Sequence, residues 1–262
     1  ASGKMGGKQS QVDEAMRSLQ LLEKEKSAPA AVRAESGFRR VSLLMQSLQG
    51  QETERRRDLI AAARNFQARY PGDRRGPRLL VEVSTICDNV PALKRELLDE
   101  ARRLSSEPAL NQRIADDLKR LELLDKPLKL EFPTLQGRSF NLAAQRGRIV
   151  LLVFWSTESL PSLLWIEDFR RALAKLPGDK LAIATISLDQ NPAPVREVME
   201  GLGISQWPTA CDGQGWQSPL VRPYGINALP TILLLDQKGT LRAINARNSY
   251  ESWIRKLLME RN

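Results

Sequence analysis

Two serines, Ser159 and Ser162, stand where a short apolar run ends and a helical pattern begins. The run, residues 149–155, consists of seven apolar residues, which is typical of a buried strand. Pro161 follows, and proline favours the first turn of a helix. The spacing therefore predicts two hydroxyl groups at a strand-to-helix turn, where the helix N-terminus carries partial positive charge.

Two interpretations of these serines remain open. A serine hydroxyl that accepts a backbone N–H at a helix start stabilises the helix by roughly 1 kcal/mol. A nucleophilic serine needs a base within hydrogen-bond reach, and Glu158 is the only local candidate. The chain contains no histidine, which excludes Ser-His-Asp hydrolysis and histidine-ligated metals. We favour capping, and we predict no catalytic residue, metal or cofactor here.

The chain has two cysteines, Cys87 and Cys211, far apart in the sequence. Two separate cysteines supply neither a zinc site nor a disulfide framework, and we expect both to be small buried residues. An alternative interpretation of Cys211 is that it forms a redox centre with a single cysteine. No lysine or arginine flanks it to lower the pKa of its thiol.

The formal net charge is +9, from 40 Lys and Arg against 31 Asp and Glu. The excess is divided between both halves, and the densest run, residues 55–57, is interpreted as a solvated helix face. We therefore predict no nucleic-acid binding, whereas peripheral or lipid-anchored association with an anionic membrane stays compatible with the charge. No segment has enough consecutive apolar residues to span a membrane. A targeting segment is expected to lie outside this sequence, which starts with Ala1.

Composition and periodicity predict three parts. Residues 1–11 are rich in Gly, Lys and Ser and are predicted to be disordered. Residues 12–126 contain six apolar stripes with spacings of three and four, which predict a helical domain built as a bundle or as stacked hairpins. Residues 127–262 alternate between strand and helix patterns and predict an α/β domain with a mixed sheet covered by helices on both faces.

The α/β part has a definite predicted element order. The predicted strands are 128–132, 139–142, 149–155, 181–188, 231–235 and 241–245, and the predicted helices are 161–175, 194–202, 219–224 and 250–259. Pro230 directly precedes one of the buried strands. Because proline cannot donate to a central ladder, an unusual backbone geometry is predicted at this point.

Several segments from residue 128 onward resemble the thioredoxin-like redoxin family, in particular thiol:disulfide reductases of the TlpA type and AhpC/TSA-like proteins. Residues 137–142 and 146–151 are similar to that family's entry hairpin and first core strand. Residues 154–157 resemble the lead-in to its redox turn, and 186–189 resemble the end of its second core strand. Residues 224–231 and 236–239 resemble its cis-proline segment and hairpin. The resemblance covers about half of the chain and implies a thioredoxin-like fold.

The chain departs from this family at the reactive turn. An active member carries Trp-Cys-Gly-Pro-Cys or a close variant, whereas residues 158–162 here read Glu-Ser-Leu-Pro-Ser. Serine forms no disulfide, so dithiol exchange is excluded at Ser159 and Ser162. Because Glu158 and Leu160 also differ, natural divergence is favoured over a deliberate exchange of the two cysteines.

The resemblance also implies a cis peptide bond before Pro230 and a groove that binds an extended protein or peptide partner. The predicted groove residues are Trp155, Glu158, Ser159, Ser162, Leu229 and Pro230. The resulting hypothesis is a redox-inactive thioredoxin-like protein that binds or scaffolds a partner in the periplasm or elsewhere in the bacterial envelope. The alternative is a thiol:disulfide oxidoreductase or antioxidant, either with its cysteines substituted or using Cys211. The oligomeric state stays open.

Overall fold

The computed structural model describes residues 2–47, 55–173 and 175–260. Contacts within the chain define two compact units, Ala1–Ile114 and Ala115–Asn262. The first unit is helical, and the second contains the sheet. This arrangement confirms the predicted fold class, an all-α region followed by an α/β domain.

The described helices of the first unit follow one another with short connections. They are α1 (Ser2–Lys24), α2 (Ala30–Ser47), α3 (Arg56–Arg69), α4 (Arg75–Ser84), α5 (Pro91–Leu104) and α6 (Pro108–Glu122), the last of which continues into the second unit. The prediction that residues 1–11 are disordered is wrong for residues 2–11, which form the start of α1. Extending an existing helix costs little compared with starting one, so an unfavourable composition can still be helical.

The core of the helical unit consists of apolar helix faces together with a few buried charged side chains. Leu59, Ala63 and Phe66 form the buried stripe of α3 and are at most 3% exposed. In α5, the Lys94 side chain is 2% exposed, and its Nζ lies 2.8 Å from Asp88 Oδ1. A charge this deeply buried needs such a partner, because an unpaired ammonium group would lose its hydration without compensation.

The boundary between the units lies inside α6 rather than at the predicted change near residue 127. The last turns of α6 are hydrogen-bonded to the sheet-containing unit. Asp117 Oδ1 accepts a hydrogen bond from Asn227 at 3.1 Å, and Lys119 Nζ donates to the Arg222 carbonyl at 2.8 Å. The change from helical to strand-like sequence patterns predicts where the strands begin. The unit to which the end of α6 belongs is decided by its contacts with residues 222 and 227.

The second unit contains a hairpin and a five-stranded sheet. Its strands are β1 (Glu131–Pro133), β2 (Ser139–Asn141), β3 (Ile149–Trp155), β4 (Leu181–Ser187), β5 (Thr209–Ala210), β6 (Thr231–Leu235) and β7 (Leu241–Ala243). The hairpin pairs β1 with β2, and the sheet order is β5-β4-β3-β6-β7. β3 runs parallel to β4 and antiparallel to β6, so the sheet is mixed as predicted. The strand β5 was not predicted.

In the part of this unit that the structure describes, three α-helices accompany the sheet: α7 (Leu160–Leu173), α8 (Pro192–Gly201) and α9 (Tyr250–Met259). All seven residues of β3 are buried, as expected for a central strand. Alternate β3 residues, from Ile149 to Trp155, belong to one hydrophobic cluster with residues of all three helices. On the other face, Phe154 packs against Tyr224 with 6.2 Å between ring centroids. Tyr224 ends a short 3-10 turn that replaces the helix predicted over 219–224.

Candidate functional site

The turn after β3 is held by a buried carboxylate, Asp189. Because β3 and β4 are parallel, they end at the same edge of the sheet, and Asp189 follows β4 there. It accepts hydrogen bonds from Ser156 Oγ at 3.1 Å and from Thr157 Oγ1 at 2.6 Å. It also accepts from the Thr157 backbone N–H at 3.0 Å and from Ser187 Oγ at 2.5 Å. The carboxylate therefore orders the loop that carries the two serines.

The two serines lie against each other at the start of α7. Ser162 Oγ donates a hydrogen bond to Ser159 Oγ at 2.8 Å. Ser159 is half-buried, whereas Ser162 is fully buried. The Ser159 carbonyl accepts from the backbone N–H groups of Ser162 and Leu163, at 2.8 and 3.1 Å, so Ser159 is the residue from which α7 starts.

The predicted capping role differs from what these side chains do. Within the described residues, neither serine hydroxyl accepts a backbone N–H of α7. Instead, Ser156 Oγ accepts from the backbone N–H of Glu158 at 3.2 Å. Ser162 is the third residue of α7, already beyond the position where a side chain caps a helix. The hydroxyl groups of Ser159 and Ser162 satisfy each other.

The described part of the chain supplies no activated serine. The Glu158 carboxylate is exposed and makes no hydrogen bond to Ser159 within this region. Asp189 is engaged by Ser156, Thr157 and Ser187 rather than by Ser159. Nor do the described residues contain a group of three His, Cys, Asp or Glu placed to hold a metal ion. What the site presents chemically is a pair of neutral hydroxyl groups.

An open cleft of about 520 Å³ lies beside Ser159. Its lining residues are Ser156, Thr157, Glu158, Ser159, Leu188, Asp189, Gln190, Asn191, Pro194, Gly215, Trp216 and Leu229. Three of the predicted groove residues, Glu158, Ser159 and Leu229, are among them. We call this surface the Ser159 cleft.

The other three predicted groove residues do not line this cleft. Trp155 is fully buried, and its Nε1 donates to Thr185 Oγ1 at 3.2 Å, so it is a core residue. Ser162 lies beneath Ser159, and Pro230 is buried. The Leu229–Pro230 peptide bond is cis. Of this segment, Leu229 is the residue that reaches the cleft.

One wall of the cleft is a tight loop that packs on the end of β4. Gly213 and Gly215 have positive φ angles of 74° and 54°. A Cβ atom on Gly213 would lie 3.1 Å from the Gln190 carbonyl oxygen, so a side chain there would be strained and crowded. Trp216 follows and is 47% exposed in the cleft.

The two cysteines lie in different units and differ in exposure. Cys87 is fully buried in the helical unit, as expected, and burial raises the pKa of its thiol. Cys211 is only half-buried, and its Sγ donates to the Asp189 carbonyl at 3.3 Å. The expectation of a buried residue is therefore met at Cys87 and only partly at Cys211.

The predicted groove residues did not include two residues of the site, Asp189 and Trp216. A carboxylate directly after a buried strand was a usable signal for Asp189, because parallel neighbours end at one sheet edge. For Trp216 the signal was weaker, a tryptophan beside Gly215 in a predicted turn.

Comparisons with known proteins agree with this architecture. Residues 124–244 match the family model described as the AhpC/TSA family. The thioredoxin-like protein YneN of Bacillus subtilis (strain 168) is 28% identical over 115 residues, which are 43% of this chain and 64% of that protein. The match thus spans somewhat less than two thirds of that relative.

Two of the solved structures that this chain matches come from Bacteroides. The C-terminal domain of a proposed thiol-disulfide oxidoreductase from Bacteroides thetaiotaomicron is 20% identical with a TM-score of 0.48, over 53% of this chain and 97% of that one. A thiol-disulfide oxidoreductase from Bacteroides fragilis NCTC 9343 is 23% identical with a TM-score of 0.43, and the match covers 48% of this chain and 96% of that chain.

The family match and the strand order of the second unit together define its class. The sheet-containing part of the chain has a thioredoxin-like fold and is similar to the AhpC/TSA family over residues 124–244, and it is joined to a helical N-terminal part.

Proposed function

We propose that the thioredoxin-like unit is a redox-inactive binding domain that holds an extended segment of a partner protein in the Ser159 cleft. The observation that carries this proposal is the hydrogen-bonded pair of hydroxyl groups, Ser159 and Ser162, at the start of α7. Hydroxyl groups cannot form a disulfide, so no electron pair can be stored at this position.

Apolar residues around the cleft support the binding role. Trp216 lines the cleft and is 47% exposed, Leu160 directly follows the cleft residue Ser159 and is 64% exposed, and Leu164, one turn further along α7, is 53% exposed. Exposed apolar residues grouped beside a cleft mark protein interaction surfaces, and tryptophan is a frequent anchor of such contacts. Gln190 and Asn191 add neutral hydrogen-bonding groups to the same cleft.

An oxidoreductase that uses Cys211 is the second candidate. One observation favours it: the half-buried Cys211 thiol donates a hydrogen bond of 3.3 Å to the backbone carbonyl of Asp189, a residue that lines the cleft. In that case the Cys211 thiolate would attack a disulfide of the partner, forming a mixed disulfide and releasing the partner's other sulfur as a thiol.

Insulin reduction by dithiothreitol separates the two candidates. We expect the chain with Ser159 and Ser162 to give no acceleration over the reductant alone. The double variant Ser159→Cys/Ser162→Cys should accelerate the reaction, because the two side chains are already in contact. Turnover by the unaltered chain that disappears in Cys211→Ser would contradict the proposal and support the second candidate.

We further propose that the domain acts in the bacterial envelope, outside the cytoplasm, where thiol:disulfide reductases of the TlpA type operate. No helix in the described residues is long and apolar enough to cross a membrane. Fractionation of cells that express the native gene, with periplasmic and cytoplasmic marker enzymes measured in parallel, tests this location. Recovery with the cytoplasmic marker would contradict it.

A further inference from the structure

A second surface lies at the edge of β4, well away from the Ser159 cleft. β4 pairs with β3 along its whole length, from Leu181 to Ser187. On its other side, β5 pairs only with Thr185 and Ile186. The first half of β4 therefore has no neighbouring strand on this side within the described residues. An open edge of this kind can accept an added strand.

The backbone groups of Ile183 point to this open side. The Thr185 N–H donates to the Pro208 carbonyl at 2.8 Å on the β5 side, whereas the Leu188 N–H donates to Trp155 at 2.8 Å on the β3 side. Alternate residues of a strand direct their N–H and C=O groups to the same edge. Ile183 lies two residues before Thr185, so its N–H and C=O face the side where β5 is absent.

A groove runs along this edge. It has a volume of about 460 Å³, and its lining includes Ala182, Ile183, Phe140 and Pro208. An adjoining pocket of about 400 Å³ shares Phe140 and Pro208 and extends beside the β1–β2 hairpin. We call the two together the β4-edge groove. It combines an unpaired backbone with an apolar wall, the two features that strand addition uses.

The charge of this groove is positive. Arg148 lines the first pocket and Arg138 lines the second. Among the described residues, neither guanidinium forms an ion pair, and Arg148 donates instead to the neutral amide of Gln145. Some other arginines of this chain lie against carboxylates, such as Arg242 with Glu260 at 2.7 Å. Arg138 and Arg148 are thus free to bind carboxylates of a partner.

We propose that the β4-edge groove binds an extended acidic segment of a partner protein, which adds a strand beside Ile183 and places carboxylates on Arg138 and Arg148. A second copy of this chain is a poorer occupant, because both copies would carry a net charge of +9. The proposal does not depend on the Ser159 cleft. The two surfaces lie towards opposite ends of β4, since Ile183 lines the groove and Leu188 lines the cleft, about 17 Å apart along the strand.

A synthetic peptide tests this proposal on the full chain. The probe is a fluorescein-labelled peptide of roughly eight residues in which glutamate and valine alternate, so that one face is acidic and the other apolar. Its matched control has glutamine in place of every glutamate. Fluorescence anisotropy measures the affinity, and amide chemical shifts of the unaltered chain locate the contact.

We expect the glutamate peptide to bind and to shift the amide signal of Ile183, and the glutamine peptide to bind about tenfold more weakly. The double variant Arg138→Glu/Arg148→Glu should also lose about tenfold in affinity. Arg222→Glu reverses an exposed charge elsewhere in the same unit and should change the affinity less than about twofold. Circular dichroism verifies that each variant is folded.

Several results would overturn the proposal. These are no binding of the glutamate peptide at about 1 mM, equal binding of both peptides, and signal shifts at Ser159 and Leu229 instead of Ile183. A dimer that sedimentation equilibrium detects in the unaltered chain, and that Arg138→Glu/Arg148→Glu abolishes, would assign the groove to a second copy and equally refute it.

Discussion

At the scale of single residues, the site is a pair of serine hydroxyl groups at the turn where the resembled family carries two thiols. Ser159 remains half-buried at the cleft and Ser162 remains buried behind it. In an active dithiol site, the outer thiol attacks and the inner thiol resolves the mixed disulfide. Here each hydroxyl stays protonated, and the pair makes one neutral hydrogen bond of 2.8 Å. The function we propose requires only that this site positions a partner, without exchanging electrons with it.

Asp189 is the residue whose removal should disturb this turn most. Asp189→Asn replaces one carboxylate oxygen with an NH₂ group, so some of the bonds from Ser156, Thr157 and Ser187 are lost. We expect the free energy of unfolding to fall by about 2 kcal/mol. Urea denaturation measures this change.

The matched control for this prediction is Asp179→Asn. The Asp179 side chain is 75% exposed and lies 3.7 Å from Lys180, so its replacement should cost less than about 0.5 kcal/mol. Equal stability losses in the two variants would contradict the role assigned to Asp189.

At the scale of elements, the turn between α3 and α4 depends on an ion pair. Asp73 accepts hydrogen bonds from Arg75 Nε at 2.9 Å and Nη2 at 2.7 Å. It also accepts from the Arg75 backbone N–H at 3.0 Å. The Arg75 guanidinium holds the pKa of this carboxyl below its ordinary value of 3.8. Because the folded-state pKa is depressed, the pair stabilises the fold above pH 3.8, and this contribution is lost as the pH falls through the folded-state pKa.

We therefore expect Asp73→Asn to lower the free energy of unfolding by about 1 kcal/mol at neutral pH. The difference from the unaltered chain should shrink below pH 3.8, since the protonated aspartic acid also loses the ion pair. Denaturant titrations across this pH range measure the difference. The control Glu122→Gln, at an exposed carboxylate, should show little change at any pH. A loss for Asp73→Asn that does not depend on pH would contradict the ion-pair argument.

Elements with strong local patterns were predictable from the sequence, and those defined by tertiary contacts were not. The boundaries predicted for β3 and α9 agree with the structure, because each carries its own apolar pattern. β5 has only two residues, and its existence depends on pairing with β4. A strand of two residues is too short to produce a recognisable pattern in the local sequence.

The same distinction holds for the candidate site. The resemblance placed Ser159 and Ser162 at the turn between β3 and α7, and the two residues lie at the start of α7. Trp155 was assigned to the groove because it is close to them in sequence, although it belongs to the set of alternate β3 residues that face the core. Asp189 follows a buried strand, which was a usable signal, whereas Trp216 joins the site because its loop packs at the same edge of the sheet, and local sequence does not reveal that packing.

At the scale of the whole molecule, the chain joins a helical unit to a thioredoxin-like unit, and each has its own core. The second unit offers two separate surfaces, the Ser159 cleft and the β4-edge groove. Neither surface depends on a thiol pair at the start of α7. We therefore infer that binding, rather than electron transfer, explains why this unit keeps its fold.

Photo-crosslinking from the cleft tests this account most directly. A benzophenone amino acid in place of Glu158 should capture a partner from an extract of the native cells. The adduct should form equally with and without dithiothreitol, and it should also form when the chain carries Cys211→Ser. It should be lost when the chain carries Leu229→Asp. The same probe in place of Arg255, an exposed residue of α9 outside the cleft, should capture nothing. An adduct that requires Cys211 and disappears with dithiothreitol would contradict the account, because it would show that the site acts through a disulfide.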